Sequence, residues 1–163
     1  MKLSVLLILI FPILTFGQSF KLPEPNVKEL KDKMVKSDYT KEVVYLYLIQ
    51  NFDTISKKRE IINYDYPDYS ICSFNQNFEN DINYSLEKCK EAGGLSVLLM
   101  LPKTDRQSLI KWIELIYKSA PMDIEHTWNS SKTKFGPTDE GVGCYFEIKE
   151  TERNTLIENY CGC

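Results

Sequence analysis

Apolar side chains at 27, 30, 34 and 35, separated by Lys, Glu and Asp, recur at helical spacing and predict a short amphipathic helix over 26–36. The run Val43-Val44-Tyr45-Leu46-Tyr47-Leu48-Ile49 is dense in β-branched and aromatic residues, which predicts a buried strand; a helix of the same length fits the same run. Phe78, Ile82, Ser85, Leu86 and Cys89 fall on one helical stripe with Gly93 just past its end, and predict a helix over 78–91. Leu95 to Leu101 is a continuous apolar run stopped by Pro102 and predicts a central strand. Thr104-Asp105-Arg106-Gln107 fits a capping box with Thr104 as the cap. The helix it opens runs to about Ser119, with Leu109, Ile110, Trp112, Ile113, Ile116 and Tyr117 as a broad apolar face. Between Met122 and Trp128 the pattern alternates, with Met122, Ile124, His126 and Trp128 on one side of a predicted strand.

The segment 129–143 is rich in Ser, Lys, Thr, Gly and Pro and predicts a long loop. Cys144 to Ile148 resumes as a strand, and 155–160 is assigned to a final one. Asn63 to Tyr69, with Pro67 among its Asx and tyrosine residues, predicts a turn. The order implies an α+β fold, a single domain with a mostly antiparallel sheet and helices packed on one face.

The first 17 residues stand apart. Lys2 precedes an apolar stretch from Leu3 to Leu14, and Thr15-Phe16-Gly17 places small residues at the exit, as a cleavable secretory signal requires. The stretch is too short for a membrane span, and Pro12 interrupts it. The Thr-Phe-Gly-Gln exit resembles that of bacterial signal peptides, which implies a periplasmic or secreted protein, with residues 18–163 as the mature domain and no membrane span once the signal is removed. The mature balance of 19 basic and 23 acidic residues gives a net charge of −4, which makes no case for nucleic acid. All of that net charge lies between Gly136 and Cys163, where Asp139, Glu140, Glu147, Glu150, Glu152 and Glu158 face only Lys149 and Arg153.

Export gives the five cysteines a reason to pair. Cys72 and Cys89 are 17 residues apart, as are Cys144 and Cys161, and this equal spacing favours those two disulfides with Cys163 left over. Many other pairings remain open on the sequence. The Cys161-Gly162-Cys163 ending has the wrong spacing for a zinc hook, and no metal site or cofactor is expected.

Catalytic signals are sparse. No Gly-x-Ser-x-Gly elbow or phosphate loop occurs, and Gly93-Gly94 precedes a strand instead of following one. His126, the sole histidine, is expected to be a hydrogen-bonded core or pocket residue, so no catalytic residue is assigned. Two function classes follow. One is a non-enzymatic binding protein, an inhibitor or immunity-type protein that blocks a basic toxin or hydrolase. It would bind through the 132–141 loop, with Lys132, Lys134, Asp139 and Glu140 as contacts. The other is a small envelope hydrolase using His126 with a nearby carboxylate.

Overall fold

A computed structural model describes residues 19–36, 42–61, 73–87, 94–120, 124–139 and 141–162. The expected signal segment, the Asn63–Tyr69 turn, Cys72, Cys89, Cys163 and Glu140 lie outside the described residues.

Among the described residues, three helices and eight strands follow in the order α1 (Val27–Val35), α2 (Val43–Asn51), β1 (Arg59–Ile61), β2 (Ser73–Phe78), β3 (Ile82–Glu87), β4 (Leu95–Pro102), α3 (Arg106–Ser119), β5 (His126–Trp128), β6 (Lys134–Pro137), β7 (Gly143–Glu150) and β8 (Asn154–Gly162). The strands form one sheet in the order β1-β2-β3-β4-β8-β7-β6-β5, and every neighbouring pair is antiparallel. The molecule is therefore α+β. Its topology is nearly a doubled plan: two helices, then a four-stranded meander, then one helix and a second meander, joined where β4 meets β8. The first strand of each meander, β1 or β5, becomes an edge of the sheet.

Strand burial follows the period of two that a sheet with one covered face demands. Phe74 and Phe78 of β2, Ile82, Tyr84 and Leu86 of β3, Val97, Leu99 and Leu101 of β4, Ile157 of β8, Phe146 and Ile148 of β7 and Phe135 of β6 are all buried. They share one core cluster with Leu30 of α1, Leu46, Tyr47 and Leu48 of α2, and Leu109, Trp112, Ile113 and Ile116 of α3. Tyr47 meets Trp112 edge to face, with ring centroids 5.3 Å apart.

Several expectations are corrected. The 43–49 run is helix α2, not a strand. Val43, Val44, Leu46, Tyr47 and Leu48 are buried around its circumference, so the run carries no amphipathic period that could distinguish helix from strand. What opens this helix is Glu42, whose carboxylate accepts from the amides of Val44 at 2.6 Å and Tyr45 at 3.2 Å. Over its described part, 78–87, the expected 78–91 helix is replaced by the β2–β3 hairpin. Asn80 and Asp81 take left-handed backbone angles, φ 58° and 57°, at the tight turn, and Ile82, Tyr84 and Leu86 then alternate inward. Ser85, counted in the helical stripe, faces the opposite side of the strand. The 129–143 loop contains β6. The turn before it is held by Asn129 Oδ1, which accepts from the amides of Thr133 at 2.8 Å and Lys134 at 3.0 Å. The cap of α3 is Asp105, not Thr104: Asp105 Oδ2 accepts from Ser108 N at 2.8 Å, while the Thr104 hydroxyl donates to Pro102 O at 2.7 Å.

Glu42 links these layers. Only 7 % exposed, it also accepts from the Tyr84 hydroxyl at 2.8 Å, so the start of α2 is tied to the middle of β3. Burial first, and then the neighbouring carboxylate, hold the Tyr84 phenol well above its ordinary value, so it stays a donor. Glu42→Ala removes a helix cap and leaves a buried hydroxyl without its acceptor. It is expected to lower stability by about 2–3 kcal/mol, measured by urea denaturation followed by far-ultraviolet circular dichroism.

Candidate functional site

His126 lies on edge strand β5, half-buried. Its Nε2 is 2.8 Å from the carbonyl oxygen of Cys144, and its Nδ1 is 3.0 Å from the carbonyl oxygen of Ile124. The imidazole stacks on Tyr117, with ring centroids 3.7 Å apart. A groove of about 390 Å³ opens beside it between α3 and β5, lined also by Glu114, Lys118 and Trp128. The groove does contain a carboxylate, yet Glu114 Oε1 accepts from the Trp128 indole at 2.9 Å instead of from the imidazole. A general base needs an open nitrogen lone pair within reach of substrate. Here both ring nitrogens face backbone oxygens.

Of the expected partner-binding residues, Glu140 lies outside the described residues and the other three sit at the two ends of β6. Lys132 sits in the β5–β6 turn with φ 52°, where its carbonyl accepts from Arg106. Lys134 begins β6 and pairs with Glu147 at 3.4 Å. Asp139 lies beyond the other end of β6, with Oδ1 accepting from Gly141 N at 3.2 Å.

The acidic tail is also less available than its composition implies. Glu147 pairs with Lys134. Glu158 receives Lys149 at 2.7 and 2.8 Å. Glu150 is bracketed by Lys103 at 3.0 Å and Arg106 at 2.9 Å, tying β7 to the start of α3. The hydrogen bond from Lys103, ahead of the charge of Arg106, holds the Glu150 carboxyl below its ordinary value.

A different surface gathers exposed apolar groups. On the side of the sheet away from the core, Leu98 is 40 % exposed, Met100 37 % and Tyr160 41 %. Registers Ser96↔Tyr160, Leu98↔Glu158 and Met100↔Leu156 place these residues side by side on β4 and β8. Beside them lies a shallow hollow of about 300 Å³ bordered by Ser85, Glu87, Ser96 and Glu158. The Tyr160 ring lies across the strand ends: a methyl group added at Gly162 would come within 2.7 Å of the phenol oxygen, so the close approach needs glycine there. The continuous apolar run at Leu95–Leu101 gave no sign of which of its faces is exposed. The alternation visible in it was of exposure, not of polarity.

Cys144 and Cys161 are Cα partners across β7 and β8 and are joined by a disulfide, S–S 2.06 Å. Among the described residues, no group of three or more His, Cys, Asp or Glu side chains is placed to hold a metal ion. Among them also, no helix is long and apolar enough to cross a membrane. No family model, curated protein or solved structure matches the chain.

Two outcomes follow from this geometry. Cys144→Ser with Cys161→Ser opens a loop closed over a separation of 17 residues, and is expected to lower stability by about 3 kcal/mol in chemical denaturation. The depressed carboxyl of Glu150 contributes stability that is present above the ordinary carboxylate range and lost as pH falls through its lowered value. Glu150→Gln should therefore flatten the acid limb of the stability–pH curve and leave its shape above pH ~6 unchanged, read from thermal midpoints across the pH series.

Proposed function

We propose that this chain is an exported, non-enzymatic binding protein of the bacterial envelope, of the inhibitor or immunity type, which acts by covering a partner enzyme. The observation that carries the reading is the exposed strip of Leu98, Met100 and Tyr160 on one face of a broad sheet. In this reading all three helices cover the other face, and the open face is the docking surface. Adjacent large apolar side chains on a rigid sheet suit the anchoring core of an interface, with charged groups at its rim.

Glu87 and Glu158 border the strip, and the Lys134–Glu147 pair extends the rim toward β6. The proposed partner brings an apolar anchor with basic groups around it. Lys132 and Asp139, at the two ends of β6, serve as peripheral contacts together with Glu140. Export rests on the signal-like residues 1–17, and the Cys144–Cys161 bond supports an oxidising compartment. The hydrolase alternative needs an imidazole nitrogen open to substrate, and the two carbonyl oxygens at His126 weigh against it.

The test recovers the protein from its own cell envelope, defines its N-terminus by mass spectrometry, and compares capture by immobilised wild-type, Leu98→Asp and Lys31→Glu proteins. The expected result is a chain beginning at Gln18 and one stoichiometric partner whose activity the wild-type protein inhibits. Binding should fall at least tenfold, a loss of about 1.4 kcal/mol, for Leu98→Asp and stay unchanged for Lys31→Glu on α1. Equal capture by all three proteins, or an intact Met1 on the recovered chain, would overturn the reading.

A further inference from the structure

We propose that His126 is a proton-sensitive clamp that ties edge strand β5 to β7 across β6, and that it takes the place of a backbone donor Pro137 cannot supply. The argument begins with the β6–β7 ladder. Ile148 N donates to Thr133 O at 2.8 Å, and in an antiparallel pair the bonded rungs recur at every second residue. The next such rung is Phe135 opposite Phe146, where the regular pairing ends; continued by two residues, the same register would bring Pro137 opposite Cys144. Proline has no N–H, so the Cys144 carbonyl loses its ladder donor. An unpaired buried carbonyl is costly, and the chain supplies another donor.

His126 is the β5 partner of Pro137, and its side chain reaches past the proline to place Nε2 2.8 Å from Cys144 O. Gly143 makes the approach possible: a methyl group there would come within 2.6 Å of Pro137 Cγ and 3.7 Å of the imidazole. The clamp thus uses three residues on three strands. It sits directly beside the disulfide that fixes Cys144 to β8.

The second nitrogen makes the clamp sensitive to protons. Nδ1 lies 3.0 Å from Ile124 O, which also accepts from the Tyr117 hydroxyl. Carbonyl oxygens only accept, and a neutral imidazole has one N–H. With Nε2–H committed to Cys144, the neutral ring turns the Nδ1 lone pair toward an oxygen. The imidazolium donates to both carbonyls. It also lies against the faces of Tyr117 at 3.7 Å and Phe135 at 5.4 Å, where a cation is favoured. Of the other titratable groups in the groove, Glu114 and Lys118 stand on α3, Glu114 being held by the Trp128 indole. Among the described residues of β6, Phe135 packs near the ring and Pro137 is the register partner of His126, while Cys144 of β7 is disulfide-bonded. Proton uptake therefore adds one hydrogen bond between the ring and the chain entering β5. Acid tightens this edge of the sheet, and proton loss releases it.

The first test is nitrogen-15 NMR of the imidazole in the full chain. The expected state at pH 8 is the Nε2–H tautomer, and at pH 5 both nitrogens carry slowly exchanging protons. The second test is amide exchange at Asn129 and Thr138, whose N–H groups bond Lys134 O and Glu125 O at the two ends of the β5–β6 pair. Protection, corrected for intrinsic exchange, should rise at least fivefold from pH 8 to pH 5 in the wild type and stay level in His126→Gln, which retains a donor but cannot titrate. The third is a double-mutant cycle. Pro137→Ala restores a backbone N–H opposite Cys144, so His126→Ala should reduce the folding constant at least fivefold less in that background than in the wild type. A dominant Nδ1–H tautomer at pH 8, equal pH responses in wild type and His126→Gln, or an additive cycle would each overturn the proposal.

Discussion

The antiparallel pairing of β4 with β8 is the constraint on which the rest of the structure depends. It runs through eight residue pairs, from Leu95↔Cys161 to Pro102↔Asn154, and it is the only place in the described sheet where the two meanders touch. Its inner face sets Val97, Leu99 and Leu101 opposite Asn159, Ile157 and Thr155, all buried. Within each meander, strands pair with their neighbours in sequence, which is entropically less costly than closing a long loop. The central pairing joins residues more than fifty positions apart and must be repaid by the burial it creates. The Cys144–Cys161 bond holds β8 to its other neighbour at the end of that pairing, so the join is secured on both sides.

The two sides of the sheet use polar chemistry differently. On the core side, polar groups complete the backbone: Glu42 caps α2 and receives Tyr84, Thr155 receives the Thr104 amide at 3.1 Å, and His126 serves the carbonyl opposite a proline. Each is a donor or acceptor placed where secondary structure leaves one missing, and each joins two elements distant in sequence. Away from the core, Lys134 and Lys149 match Glu147 and Glu158, while Lys103 and Arg106 hold Glu150 at the start of α3. Exposed ion pairs of this kind contribute little to stability, but they leave the apolar strip of β4 and β8 as the most distinctive feature of that face.

Legibility in the sequence followed how local the deciding interaction was. α1 and α3 carry their own periodicity and were readable, as were β4, β7 and β8 from apolar density and alternation. Thr104 and Asp105 are both suitable caps for α3, and in the fold the Thr104 hydroxyl is turned to Pro102 O while the Asp105 carboxylate takes the Ser108 amide. The β2–β3 hairpin had a local signal in Asn80-Asp81, outweighed in the reading by a helical stripe that wrongly counted Ser85. In the candidate site, His126 was recognisable as a hydrogen-bonded residue, but its partners were not, since Cys144 is 18 positions away and becomes a partner only because Pro137 lies between them.

What the amino-acid order settled by itself was the set of segments whose periodicity, capping or turn residues act over a few positions, together with the α+β class that their succession implies. Tertiary structure alone decided that the unbroken apolar run at 43–49 coils around Glu42 and Tyr84, that the two meanders meet at β4 and β8, and that Leu98, Met100 and Tyr160 are left uncovered. The physical reason is the same in each case. A run's apolar content says that it will be buried somewhere, whereas which of its faces is buried, and against what, is a property of partners tens of residues away.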